Sequence, residues 1–134
     1  MAPTDRTLDA ESQNVTSTSL DEIFGTLANE KRRFTLYYLR ERPTTTVDEL
    51  ADVLATKALV DTPTLSLSGY RDEMLIRLDH VHLQKLEATS LVTYDRETGR
   101  VALAALPPVV ESVLDHAMPM ERVDLADAFG VEIG

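Results

Sequence analysis

Apolar residues recur along this chain at helical spacing, each run opened by a polar residue that is able to cap it. Leu20, Ile23, Phe24 and Leu27 stand at i, i+3, i+4 and i+7 behind Ser19 and Glu22, a capping-box pair, so the spacing predicts a short amphipathic helix from about residue 19. Asn29 is placed to cap a second helix, EKRRFTLYYLRER, which mixes Phe34, Leu36, Tyr37, Tyr38 and Leu39 with basic residues and closes at Pro43. Thr46 with Glu49 repeats the capping-box spacing, and Val47, Leu50, Ala51 and Leu54 predict a compact third helix over 47–55. Residues 56–69, TKALVDTPTLSLSG, hold Pro63, Gly69 and several Ser and Thr, and read as a loop with at most a turn of helix. From Tyr70 to Thr89 the helical period returns, with Leu75, Leu78, His82 and Leu86 near one face and Met74, Val81 and Leu83 broadening it.

The period then changes from helical to alternating. In LVTYDRETGRVAL, Val92, Tyr94, Val101 and Leu103 alternate with polar or small residues around a polar apex, and Gly99 suits the positive φ of a hairpin loop. Pro107 and Pro108 introduce a last helix carrying Val110, Val113, Leu114 and Ala117, with Pro119 expected to end it. The chain thus divides into a polar, mobile tail over 1–18, a folded domain over 19–105, and a C-terminal helix and tail over 106–134 assigned to dimerisation. The acidic end MERVDLADAFGVEIG, with spaced apolar residues, docks on the domain or on a partner subunit.

Composition narrows the function. At 134 residues the chain suits one domain with its own core; hydrophobic residues are 43% and aromatics only 5%, so that core is mainly aliphatic. The absence of cysteine excludes disulfides, thiolate metal sites and cysteine nucleophiles. No apolar run approaches a membrane span and no leader pattern opens the chain, so a cytoplasmic protein without membrane contact is expected. A formal net charge of -10 argues against affinity for phosphate, yet the acid lies mostly outside residues 30–42, where Lys31, Arg32, Arg33, Arg40 and Arg42 face only Glu30 and Glu41. A surface this acidic and poor in lysine is typical of organisms that balance external salt by accumulating it, and there global charge says little about partners.

Three helices, a long helix, a two-stranded hairpin and a final helix follow the order of a winged helix-turn-helix domain, mainly α with a small β-hairpin. The stretches LANEKRRFTLYYL, TVDELADVL and HVHLQKLEATSLVTYDRETGRVAL resemble ArsR-type winged-helix regulators, most closely the acidic version abundant in halophilic archaea. The resemblance covers about residues 20–105. It implies a transcription regulator that binds double-stranded DNA as a homodimer, with helix 47–55 bracing helix 70–89 and the hairpin lying along the phosphate backbone, its tip near the minor groove.

A helix that reads the major groove must turn hydrogen-bonding side chains outward. With Leu78, His82 and Leu86 inward, Arg77, His80, Gln84 and Lys85 are left facing out, with Arg71 near the helix start. Arginine and lysine suit guanine, and glutamine suits adenine. Arg96 and Arg100 on the hairpin would meet phosphate or a narrow groove; the plainer alternative is a solvated turn in which Asp95 and Glu97 neutralise both. Lys31 and Arg32, with Arg33, read either as a phosphate clamp or as a solvated helix face, one arginine being tied to neighbouring acids. Tyr37 and Tyr38 sit at core spacing.

Metal chemistry finds little support. His80 and His82 point about 200° apart on a helix, and Glu111, Asp115 and His116 lack the further ligands that sensors of the resembled type require. His82 reads as a partly buried packing or hydrogen-bonding residue. No nucleophile and base share a motif and no glycine-rich phosphate loop occurs, so neither catalysis nor a cofactor is expected. The main alternative function is a winged-helix module that binds another protein and no DNA.

Overall fold

The computed structural model describes residues 19–61 and 66–121; the expected tail over 1–18, Pro63 and the apolar positions after Glu121 fall outside them. Helix α1, Leu20–Leu27, opens on a reciprocal capping box, Glu22 N to Ser19 Oγ and Ser19 N to Glu22 Oε1, both 3.1 Å. Helix α2, Glu30–Glu41, starts where Asn29 Oδ1 accepts from the amides of Lys31 at 2.8 Å and Arg32 at 3.3 Å. These bonds satisfy amides that have no partner within a helix, so short polar side chains set the start points.

Strand β1, Thr44–Thr46, comes next and leads directly into α3, Val47–Asp61, where Thr46 Oγ1 accepts from Glu49 N at 3.1 Å. The helix passes beyond residue 55, where a loop was expected. Residues 56–61 contain no Gly or Pro, Thr56 Oγ1 donates to the Asp52 carbonyl at 2.8 Å, and Lys57 pairs with Asp61 at i+4.

Ser66 caps α4, Leu67–Arg77, earlier than the predicted Tyr70. The rod continues through a π-helical turn, Leu78–His82, into α5, Leu83–Ala88. Its signature is the bond from Leu83 N to Leu78 O, one residue longer than the α-helical step. It resets the phase of the helix. Met74, Leu78, Leu83 and Leu86 are buried, and Val81, expected on the apolar face, turns to solvent.

The rod ends in a Schellman motif. Leu91 N donates to Leu86 O and Ser90 N to Glu87 O, both 2.9 Å, with Ser90 at φ 63.

Strands β2, Val92–Asp95, and β3, Arg100–Leu103, form the expected hairpin, closed by Gly99 at φ 78. β1 pairs antiparallel with the outer edge of β3, Thr44 opposite Ala102 and Thr46 opposite Arg100, to give the order β1-β3-β2. Three residues are too short to show alternation, so this third strand has no sequence signal. Helix α6, Pro108–Met120, runs through Pro119 instead of stopping there. Proline near a helix C-terminus forfeits a single backbone bond, and the turn is finished by Glu121 N donating to Ala117 O at 3.0 Å.

One aliphatic core joins these elements. Leu36 and Leu39 of α2, Leu50 of α3, Leu78 of the rod, Val101 of β3 and Leu114 of α6 are all fully buried. The architecture is mainly α with a small antiparallel sheet, compatible with a winged-helix-like fold whose second and third core helices are α3 and the rod. No described helix is long and apolar enough to cross a membrane.

Candidate functional site

The outward side of the rod is hydrophilic in its middle. The side chains of Arg77 and His80 are 58% and 67% exposed, and Gln84 and Lys85 are exposed one turn on. Arg77 Nε lies 3.7 Å from Glu73 Oε2, a loose pair that solvent screens and that leaves the guanidinium free to exchange partners. His80, Gln84 and Lys85 rim a shallow depression with Val81 and Ala88. Lys31 of α2 is half-buried and lines a second depression with Tyr70, Glu73 and Arg77, so the structure brings Lys31 and Arg77 together.

Arg71 is placed differently from expectation. It faces back to α3, bonding Asp52 through Nε, with Asp48 at 3.5 Å and Asp72 at 3.9 Å. Three carboxylates around one guanidinium make it a strut between the brace helix and the rod. Substituting a phosphate there would strip α4 of its tie to α3.

The hairpin is fastened to the π turn through Asp79. Tyr94 donates its hydroxyl to Asp79 Oδ1 at 2.7 Å, and Arg96 donates from Nη2 to the Asp79 carbonyl at 3.2 Å, with Nε 3.6 Å from the carboxylate. Arg96, one residue past β2, also stacks 4.8 Å over the Tyr94 ring. Burial first, then the bond to Asp79, pushes the Tyr94 hydroxyl up to about 12. The acid facing Arg96 is therefore Asp79 of the rod, and not the neighbouring Asp95 or Glu97. Arg100 stays exposed at the end of the turn, with its amide on Thr98 Oγ1 at 3.2 Å.

Arg32 overturns its expected role as a surface phosphate contact. It is 7% exposed and donates Nε to Thr26 O at 2.7 Å, Nη2 to Gly25 O at 3.3 Å and Nη1 to His82 Nδ1 at 3.1 Å. The C-terminal carbonyls of α1 need donors, and this planar fork supplies them while reaching the π turn. Burial lowers its pKa, and His82, also buried, is pushed down to about 4 by desolvation and then by Arg32 and, more weakly, Lys31 and Arg77. Of the packing and hydrogen-bonding roles read for His82, both are present: it is buried and it bonds Arg32. Arg33 is the arginine tied to an acid: it forks onto Glu121, at 2.9 and 2.6 Å, where Tyr37 also donates at 2.6 Å.

Tyr37 and Tyr38 are both core residues. On α6, Arg40 of α2 bridges Glu111 and Asp115, each at 2.9 Å. Val110 and Leu114 are buried against the chain's own core. Of the apolar stripe read as a dimer face, these two residues are covered within the subunit, while Val113 and Ala117 are half-buried and Met120 is exposed at its end.

Sequence reasoning missed Asp79 as the hub beneath the hairpin and Ile76 and Val81 as outward apolar residues. The i, i+2 spacing of Tyr94 and Arg96 carried a legible signal for their stack. Nothing comparable marks Asp79, whose partners come from a different element.

Residues 24–102, from α1 into β3, match the model of a family described as a domain of unknown function (DUF7344). No curated protein and no solved structure matches the chain.

Proposed function

We propose that this chain, which belongs to the DUF7344 family, is a cytoplasmic, non-enzymatic transcription regulator that binds double-stranded DNA as a winged-helix homodimer. The observation that carries the reading is the exposed set Arg77, His80, Gln84 and Lys85 along one side of the rod, beside a turn that bears Arg96 and Arg100. An α-helix fits the major groove, and these side chains are the donors and acceptors that base edges require. Arg96 and Arg100 engage phosphate, Arg96 by leaving Asp79. Lys31, close to Arg77, adds a further backbone contact. The likeness to ArsR-type regulators points the same way.

Net acidity is compatible with this function in a salt-accumulating cell. Counterion release drives little binding when the bath is already concentrated, so affinity rests on hydrogen bonds, shape and apolar contact. Acid away from the binding side also disfavours misoriented approach. Two reading heads need a subunit contact, and with Val110 and Leu114 of α6 turned into the core, the exposed Leu20 and Phe24 of α1 supply it.

The test is a mobility shift with fragmented genomic DNA in molar salt, comparing wild type with the R96A/R100A double variant. A retarded fragment that the double variant binds more weakly, with a salt slope reduced by about 2, supports the regulator. Absence of any retarded fragment rejects it. A second reading, a protein-docking module, is favoured by exposed Asp72 and Glu73 at the start of the rod, which oppose phosphate.

A further inference from the structure

The rod carries two exposed apolar side chains among its polar ones, Ile76 at 57% and Val81 at 40% exposure. Neither has a place in the core, and neither would be expected to share a side in a regular helix, where five residues correspond to a rotation of about 140° off register. The π turn removes much of that offset. Leu78 and Leu83, also five apart, are both fully buried, so across this turn the i, i+5 pair lies on one side. By the same shift Ile76 and Val81 both stand on the solvent side, interleaved with Arg77, His80 and Gln84. Val81 lines the shallow depression together with His80, Gln84 and Lys85.

A patch of methyl groups framed by hydrogen-bonding side chains matches one feature of duplex DNA. In the major groove thymine alone among the four bases presents an apolar group, its C5 methyl, beside the acceptor O4, and the adenine paired with it offers N6 and N7 to a glutamine. Resting on the regulator reading, we infer that Ile76 and Val81 are specificity residues that contact thymine methyl groups, so that the bound sequence carries A·T pairs under the centre of the rod. The π turn is what aligns them. Leu78 and Leu83 fasten its inner side, and the Tyr94 hydroxyl on Asp79 fastens it to the hairpin.

The experiment uses the full chain in molar salt. Duplexes are selected from a random-sequence pool, and each thymine of a selected duplex is then replaced by deoxyuridine, which keeps the pairing edge and lacks only the methyl. Wild type should bind about fourfold more weakly for each contacted methyl removed, the weight of one buried methylene. I76A and V81A should each lose that preference at a separate position, whereas R96A should weaken thymine and uracil duplexes equally. Both apolar residues are exposed, so alanine leaves the core intact, which circular dichroism checks. Indifference of wild type to uracil at every position, with R77A still weakening binding, overturns the methyl contacts and keeps the regulator. Indifference together with loss of the dimer in I76A or V81A overturns them by assigning the side to a second copy. Failure to enrich any duplex overturns both readings.

Discussion

Arg32 Nη1 lies 3.1 Å from His82 Nδ1, a contact that ties α2 to the π turn of the rod. A guanidinium only donates, so Nδ1 is the unprotonated acceptor and the proton of the neutral ring sits on Nε2. Protonating His82 would set two cations against each other in a buried place.

That geometry fixes a pH dependence. His82 is near 6.5 when unfolded and about 4 when folded, so between these values the unfolded chain binds the extra proton. Its contribution is complete above about pH 6.5 and falls as pH drops toward 4, by about 3 kcal/mol in all. H82Q keeps an acceptor for Arg32 without titrating. Urea melts across this range should show a flatter stability profile for H82Q; parallel profiles would dissociate His82 from the acid response.

Glu121 acts in a lower window. Arg33 chiefly, with Tyr37 assisting, holds its carboxyl below the usual range, so its contribution is present above about pH 4.5 and is lost as pH falls through the depressed value. E121A removes a forked ion pair and the acceptor of a core tyrosine, and should cost about 2 kcal/mol at neutral pH. Thermal unfolding measures this, and Y37F/E121A should show less than the sum of the two single losses.

Removing the Tyr94 hydroxyl should loosen the hairpin from the rod. Y94F loses the bond to Asp79 and should cost about 1 kcal/mol, with faster amide exchange in residues 96–99. In wild type, absorbance titration should find two tyrosines ionising near pH 12, Tyr38 and Tyr94, and Y94F should retain only the first.

Ser90 holds the left-handed position of the Schellman motif, where a Cβ is crowded by the backbone. S90G should therefore stabilise the fold by about 0.5–1 kcal/mol, the relieved strain exceeding the added freedom of the unfolded chain. A lower melting temperature would contradict this account.

Local signals and distant ones differ sharply in how legible they were. Ser19, Asn29 and Thr46 cap where their spacing said, because a cap is a contact between residues two or three apart. The extension of α3 was obscured by Thr56, which reads as loop but bonds back to its own helix. Among the candidate site residues, Arg77, His80, Gln84 and Lys85 reached the surface as their periodicity required, while Arg32 is buried and Arg71 is turned onto the carboxylates of α3. Basic residues are alike in sequence, and only a packed carbonyl or carboxylate from another element decides which of them is held in place.

By itself the sequence determined the helices, the hairpin and the aliphatic face of each, since periodicity and capping act over a few residues. Tertiary structure alone decided the third strand, the burial of Arg32 on His82, the fastening of Arg96 to Asp79 and the phase shift that turns Val81 outward. Each of these depends on groups distant in the chain, whose pairing follows from packing and desolvation after the local elements have formed.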